Sequence, residues 1–145
     1  MSAGRRAVLF ADGGARGNPG PAAVGAVLID DSGAVLHEIG EFIGHATNNV
    51  AEWKALVAGM AAAVELGVED LAVRMDSELV VRQLTGVYRV KHPDLIPLHE
   101  RARGLLRRFK SVDVRHIPRA QNKAADALVN AALDAAAAQA ALDRS

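Results

Sequence analysis

Acidic side chains seldom stand against apolar runs without a partner, yet this chain sets Asp12, Glu52, Asp76 and Asp126 in such places. Asp12 follows the run "AVLFA" and Asp76 follows "LAVRM", so each reads as a carboxylate that ends a strand. Glu52 falls in the first turns of a helical pattern, on a face shared with Ala55 and Leu56, and Asp126 falls in the first turn of the last helix. Each acid alone has a plain structural reading: Glu52 as a helix-capping charge, Asp126 as a partner of the helix dipole. All four at element ends point instead to one shared spot. Converging carboxylates repel and raise one another's pKa values unless cations sit among them. With oxygen donors only, no cysteine in the chain and no histidine pair at ligand spacing, the fitting cations are hard ones, Mg²⁺ or Mn²⁺. Two such ions can generate a hydroxide and stabilise a leaving oxygen in phosphoryl transfer.

The elements that would carry these acids can be read from periodicity. "RAVLFAD" is a short buried strand, and "AAVGAVLIDDSGAVLHEIGEFIG" is a hairpin about the turn "DDSG". From Thr47 the period lengthens. Val50, Trp53, Leu56, Val57, Met60 and Val64 fall at helical spacing, with Thr or Asn as the cap and Gly67 as the stop. "LAVRMD" is a strand, "SELVVRQLTG" a short helix, and "HPDLIPLHERARGLLRRF" a helix expected to start near Asp94. "VDVRHI" is a last strand and "NKAADALVNAALDAAAAQAAL" a last helix. Three strands followed by helix–strand units imply one α/β domain over residues 1–145, with a mixed sheet. If the strands ending on Asp12 and Asp76 are parallel neighbours, both carboxylates emerge at the same end of it.

The stretch "DGGARGNPG" beside Asp12 is almost bare of bulky side chains. A backbone so exposed can approach a sugar-phosphate strand closely. It lacks the Gly-Lys-Ser/Thr ending of a phosphate-binding P-loop, and a tight turn would explain its glycines but not the adjacent acid. Charge is unevenly spread. The net charge is zero, but residues 74–123 hold 12 Lys/Arg against 5 Asp/Glu, leaving +7 there and −7 elsewhere. Such a dipolar protein can offer a basic face to a polyanion, although solvated helix faces of differing sign would look the same. No stretch resembles a signal peptide or a membrane span, so a cytoplasmic protein without a membrane partner is expected.

Taken in order, "DGGARGNPGPAAVGAVL", "TNNVAEWKAL", "MDSELVVRQLTGVYRVK" and "HIPRAQNKAADAL" resemble the signature blocks of type 1 ribonuclease H, over about residues 7–133. The resemblance implies a ribonuclease H-like α/β fold, a five-stranded mixed sheet flanked by helices. It also implies a monomer that cleaves the RNA strand of RNA–DNA hybrids, leaving 5′-phosphate and 3′-hydroxyl ends. By position, Asp12, Glu52, Asp76 and Asp126 resemble the catalytic carboxylates that hold two Mg²⁺ or Mn²⁺ ions. Asp12 would bridge both, Asp126 would help hold the ion that activates water, and Glu52 and Asp76 the one facing the leaving oxygen. His116, ten residues before Asp126, resembles a histidine credited with proton transfer or product release; it could equally be a structural residue at a strand edge.

Substrate contacts follow from the same resemblance. Gly13, Gly14, Asn18 and Ser77 match positions that meet the RNA strand near its 2′-hydroxyls, the group that distinguishes RNA from DNA. Thr47, Asn48 and Asn49 match residues that grip the DNA strand, Thr47 at a phosphate and the asparagines in the minor groove, while Thr-Asn-Asn is also a good helix cap. Arg119 and Asn122 are further candidates for contacts in the site. Two departures from the family pattern stand out. The chain has no room for the extra basic helix and loop of some members, which Arg82, Arg89, Lys91, Arg101, Arg103, Arg107 and Arg108 could partly replace. It also has His45 where the DNA-phosphate pocket often has arginine. Weak, salt-sensitive hybrid binding is therefore expected. Double-stranded RNA as a further substrate, a hybrid-binding module without catalysis, and another nuclease of the same fold remain the alternatives.

Overall fold

Strand periodicity and turn chemistry build the first half of the chain. The computed structural model describes residues 5–145. β1 (Arg5–Ala15), β2 (Gly20–Asp30) and β3 (Val35–Ala46) form an antiparallel meander. The β2–β3 turn closes as expected from "DDSG". The Asp30 carboxylate accepts from the backbone N–H of Ser32 and Ala34, and Gly33 takes the left-handed conformation (φ 86°). β4 (Val68–Met75) and β5 (Ser111–His116) extend the sheet in parallel, giving the order β3-β2-β1-β4-β5. The expected five-stranded mixed sheet is present.

α1 (Asn48–Glu65) starts where the sequence places it, because the Thr47 hydroxyl accepts from the Val50 N–H at 3.2 Å. Its apolar stripe buries Trp53, Leu56 and Met60 completely against Leu9, Val73 and Met75. α2 (Glu78–Leu84) is capped by Ser77 in the same way. The buried Trp53 indole N–H donates to Gln83 Oε1 at 3.2 Å, tying α1 to α2. α3 spans Ile96–Leu106, starting two residues later than expected and ending before the phenylalanine at 109. Pro97 explains the late start: it is accommodated only in a first turn, where its missing N–H has no helical partner to lose.

α4 (Lys123–Arg144) lies on the opposite face of the sheet. Alternation along β2 proves the point. Val24, Ala26 and Leu28 join the main core with α1, whereas Ala23 joins a separate cluster with Val129 and Leu133 of α4. The sheet is thus covered on both faces, by α1 on one and by α4, over β1 to β3, on the other. One expectation fails here. β1 does not stop at Asp12 but continues to Ala15, with Asp12 opposite Gly25 and Gly13 opposite Val24. The first glycines of "DGGARGNPG" therefore belong to a strand and not to a loop.

Candidate active site

Those strand glycines decide how the site is built. A Cβ on Gly13 would overlap the Ala51 carbonyl of α1, and a Cβ on Gly25 would overlap the Ala125 carbonyl oxygen of α4. Without side chains at these two points, both helix N-termini close directly onto the sheet, one on each face. Glu52 follows Ala51 and Asp126 follows Ala125, so each close approach delivers an acid to the end of β1. Parallel pairing delivers the third. Phe10 lies opposite Arg74, so Asp12, two residues further along β1, and Asp76, just past the end of β4, come side by side at the same end of the sheet. The bare backbone lets the helices in, and the acids arrive with them.

The four carboxylates line one cleft of about 300 Å³, together with Gly13, Gly14, Asn48, Ser77 and Arg119. Burial, reinforced by Asp76, Asp126 and Glu52, pushes the Asp12 carboxyl up to about 7 from an ordinary value of 3.8. Burial raises Glu52 as well; a hydrogen bond from Ser77 works against that rise and the charge of Asp76 adds to it. Such a cluster stores repulsion that a divalent cation relieves. Among the described residues no three His, Cys, Asp or Glu side chains are grouped closely enough to hold a metal ion by themselves. The acids ring an open cleft, which suits a cation such as Mg²⁺ that keeps several waters and takes substrate phosphate oxygens as ligands.

The other expected residues are distributed around this cleft. Arg119 lies at its mouth, 82% exposed and 3.9 Å from Asp126. His116 ends β5 beside it, with Nε2 3.2 Å from the Asp76 carbonyl oxygen, and it is not part of the lining. Asn122 departs from its expected role as a substrate contact. It is 2% exposed and faces inward, donating to Asp76 Oδ1 at 2.7 Å and to the Ala11 carbonyl at 2.9 Å. Asn18 and Asn48 interlock: Asn18 Oδ1 accepts from the Asn48 N–H at 3.1 Å, and Asn48 Oδ1 accepts from the Ala15 N–H at 2.8 Å. Both side-chain oxygens being used, their amide N–H groups are what remains to offer a ligand.

Asn18, Thr47 and Asn49 line an adjoining depression of about 290 Å³ with His92. His45 and Thr47 line the next one with Lys54. Four residues of these surfaces were not anticipated. Lys54 lies seven residues after Thr47, two turns along the same helix face, which is a readable signal. Asn130, whose Nδ2 donates to Asp126 Oδ2 at 3.3 Å, lies one turn after that acid and was readable in the same way. Arg16, paired with Asp134 at 2.6 Å, and His92 come from the loop after β1 and the α2–α3 connection, where no periodicity points to them.

A mixed sheet in this order, with acids gathered at one end from β1, from the end of β4 and from two helices, defines a particular class of α/β domain, and comparison with known proteins makes the class specific. Residues 10–132 match the family model described as "Reverse transcriptase-like". A ribonuclease HI of Halobacterium salinarum is 50% identical over 131 residues, covering 90% of this chain and 66% of that protein. The crystal structure of ribonuclease H1 from that archaeon superposes with a TM-score of 0.86 over 89% of this chain and 98% of the other. A ribonuclease H1 crystallised with an RNA/DNA hybrid is 43% identical, with a TM-score of 0.85 over 90% of this chain and 98% of that one. A bifunctional protein of Mycobacterium tuberculosis is 51% identical over 139 residues, 95% of this chain but 38% of its own length. This chain therefore spans well under half of that relative. The chain belongs to the reverse transcriptase-like family, in its ribonuclease H group.

Proposed function

We propose that this protein is a metal-dependent endoribonuclease that cuts the RNA strand of RNA–DNA hybrids and acts as a monomer. The observation that carries the reading is the convergence of Asp12, Glu52, Asp76 and Asp126 on one cleft, with Asp12 pushed up to about 7. Relatives named as ribonucleases H, and one crystallised with a hybrid, support it. The donor set is all oxygen, so the cleft suits Mg²⁺ or Mn²⁺, held by these four acids as two ions. When bound, the cations supply an activated water and stabilise the leaving oxygen.

The chain's own groups do the rest. The four acids would hold the cations and so fix where the scissile phosphate can lie. Ser77 holds Glu52, and Arg119 at the mouth offers a cation to a neighbouring phosphate. Water adds to phosphorus, the bond to the 3′-oxygen breaks, and that oxygen takes up a proton, giving a 5′-phosphate and a 3′-hydroxyl. The free amide N–H groups of Asn18 and Asn48 face acceptors. Minor-groove edges of every base pair carry acceptors, and so does the 2′-hydroxyl, so the grip is on groove shape and sugar and not on sequence. Thr47, His45 and Lys54 form a phosphate seat for the DNA strand.

Cleavage of a labelled hybrid in Mg²⁺ or Mn²⁺, beside single-stranded RNA, RNA duplex and DNA duplex, tests this. Hybrid cutting that disappears in Asp12→Asn is expected. A protein that binds hybrid but cuts it in neither metal would be a binding module, and cutting of the RNA duplex would widen the substrate class.

A further inference from the structure

Asn122 is spent in an unusual way. It occupies the N-cap position of α4, where an asparagine ordinarily caps the helix, yet its side chain makes no capping bond. The side chain turns inward and donates both Nδ2 hydrogens, one to Asp76 Oδ1 and one to the carbonyl of Ala11, the residue before Asp12. Its Oδ1 is buried with no partner among the described residues. Turning the amide over would set that oxygen against two others, so the orientation is fixed by its acceptors. An orphaned buried acceptor and a forgone cap both cost stability. What the arrangement achieves is local: one amide joins the β1 backbone beside Asp12 to the Asp76 carboxylate, while the Asn122 carbonyl accepts from the Asp126 N–H at 3.1 Å.

We propose that Asn122 is a positioning residue for cation binding, holding Asp76 at a set distance from Asp12 and Asp126 before a cation arrives. The proposal rests on the metal-dependent reading above. Without the amide, Asp76 is free to swing away from the like charge of Asp12, and the cation must first gather its ligands. Partners of this kind, outside the ligand shell, typically change metal affinity by about 10–100-fold.

Mn²⁺ binding to the free protein, read from the electron paramagnetic resonance of unbound Mn²⁺, tests the idea without substrate. Asn122→Ala should weaken binding about tenfold or more and raise the Mg²⁺ concentration for half-maximal cleavage in step. Hybrid affinity in a chelator should stay within about twofold. In an Asp76→Ala background, which removes the acceptor of the Asn122 amide, removing Asn122 should cost almost nothing further. Unchanged Mn²⁺ binding with weakened hybrid binding would overturn the proposal in favour of a substrate contact. Equal losses with and without the Asp76 carboxylate would overturn it in favour of a general structural role. Should Asn122→Ala melt below the assay temperature, Asn122→Ser carries the same expectations with less volume removed. A wild-type protein that neither binds Mn²⁺ nor cuts hybrid would defeat the functional reading itself. One that does both, with an unaffected variant, defeats only the role of Asn122.

Discussion

Asp12 is the residue at which the needs of folding and of chemistry oppose each other. Its carboxyl is pushed up to about 7 by burial first and by Asp76, Asp126 and Glu52 after it. Between its unfolded value of 3.8 and that raised value, the folded chain holds a proton that the unfolded chain has lost. Folded stability therefore falls as pH rises through this window, and the loss is complete above it. Allowing for solvent screening of a partly exposed group, the loss is about 1–3 kcal/mol. Urea denaturation of metal-free protein at pH 5 and pH 8 should show it, and Asp12→Asn should show a smaller decline by that amount. Glu52 is raised in the same direction and its burial is present in both proteins, so the difference reads Asp12 together with its repulsion of the neighbouring acids. Parallel pH profiles for the two would refute the account. Millimolar Mg²⁺ should stabilise the wild type more at pH 8 than at pH 5, since the cation competes with the proton for the same oxygens.

At the scale of elements, two glycines set the distance between helices and sheet. Gly13→Ala and Gly25→Ala each drive a methyl group into a helix backbone carbonyl, which cannot move without shifting α1 or α4. A loss above about 3 kcal/mol, or no folded protein, is expected for each. Gly14→Ala is the control. Its Cβ would meet Val129 Cγ1 at 3.7 Å, an ordinary contact, so stability should change by less than about 1 kcal/mol. Equal effects at all three positions would show that lost strand flexibility, and not helix approach, is what matters. The same contrast explains what the sequence could reveal. Acids at the ends of apolar runs were legible because periods of two and 3.6 mark elements and faces. The Gly25 partnership with Asp12 was not, since it depends on which residues pair across β1 and β2, and one residue of slip would turn every side chain to the other face. Asn122 looked like a substrate contact because its neighbours in sequence lie at the cleft; only the packing of α4 onto β2 turns it inward. Pro97 did state where α3 begins, but Asp94, a residue type that suits a helix start, drew the expected boundary two residues too early.

The whole molecule is electrically lopsided, and its geometry gives that a use. A cleft ringed by acids repels a polyanion, so approach must be guided from elsewhere. Residues 74–123 carry the compensating +7. Several of their cations are already paired within the protein: Arg74 and Arg115 each lie 3.1 Å from Asp113, and Arg82 lies 2.8 Å from Glu78 with its guanidinium 5.5 Å from the centre of the Tyr88 ring. Arg89 and Arg103 make no ion pair with a described residue, and with Tyr88 and His99 they line a groove of about 680 Å³ between α2 and α3. A nucleic-acid backbone lying there would take these arginines in place of condensed counterions and release those counterions to solution, which makes affinity fall with salt. Hybrid binding by Asp12→Asn, titrated across salt concentrations, should give a steep negative slope of log affinity against log salt. Arg89→Ala and Arg103→Ala should each weaken binding about equally for hybrids of any sequence and make the slope shallower by about one. Arg74→Ala, whose guanidinium is held at Asp113 and does not line that groove, should leave the slope where it was. If the three variants behave alike, the +7 region acts as a diffuse field and not as a track, and the groove between α2 and α3 has no part in holding the strand.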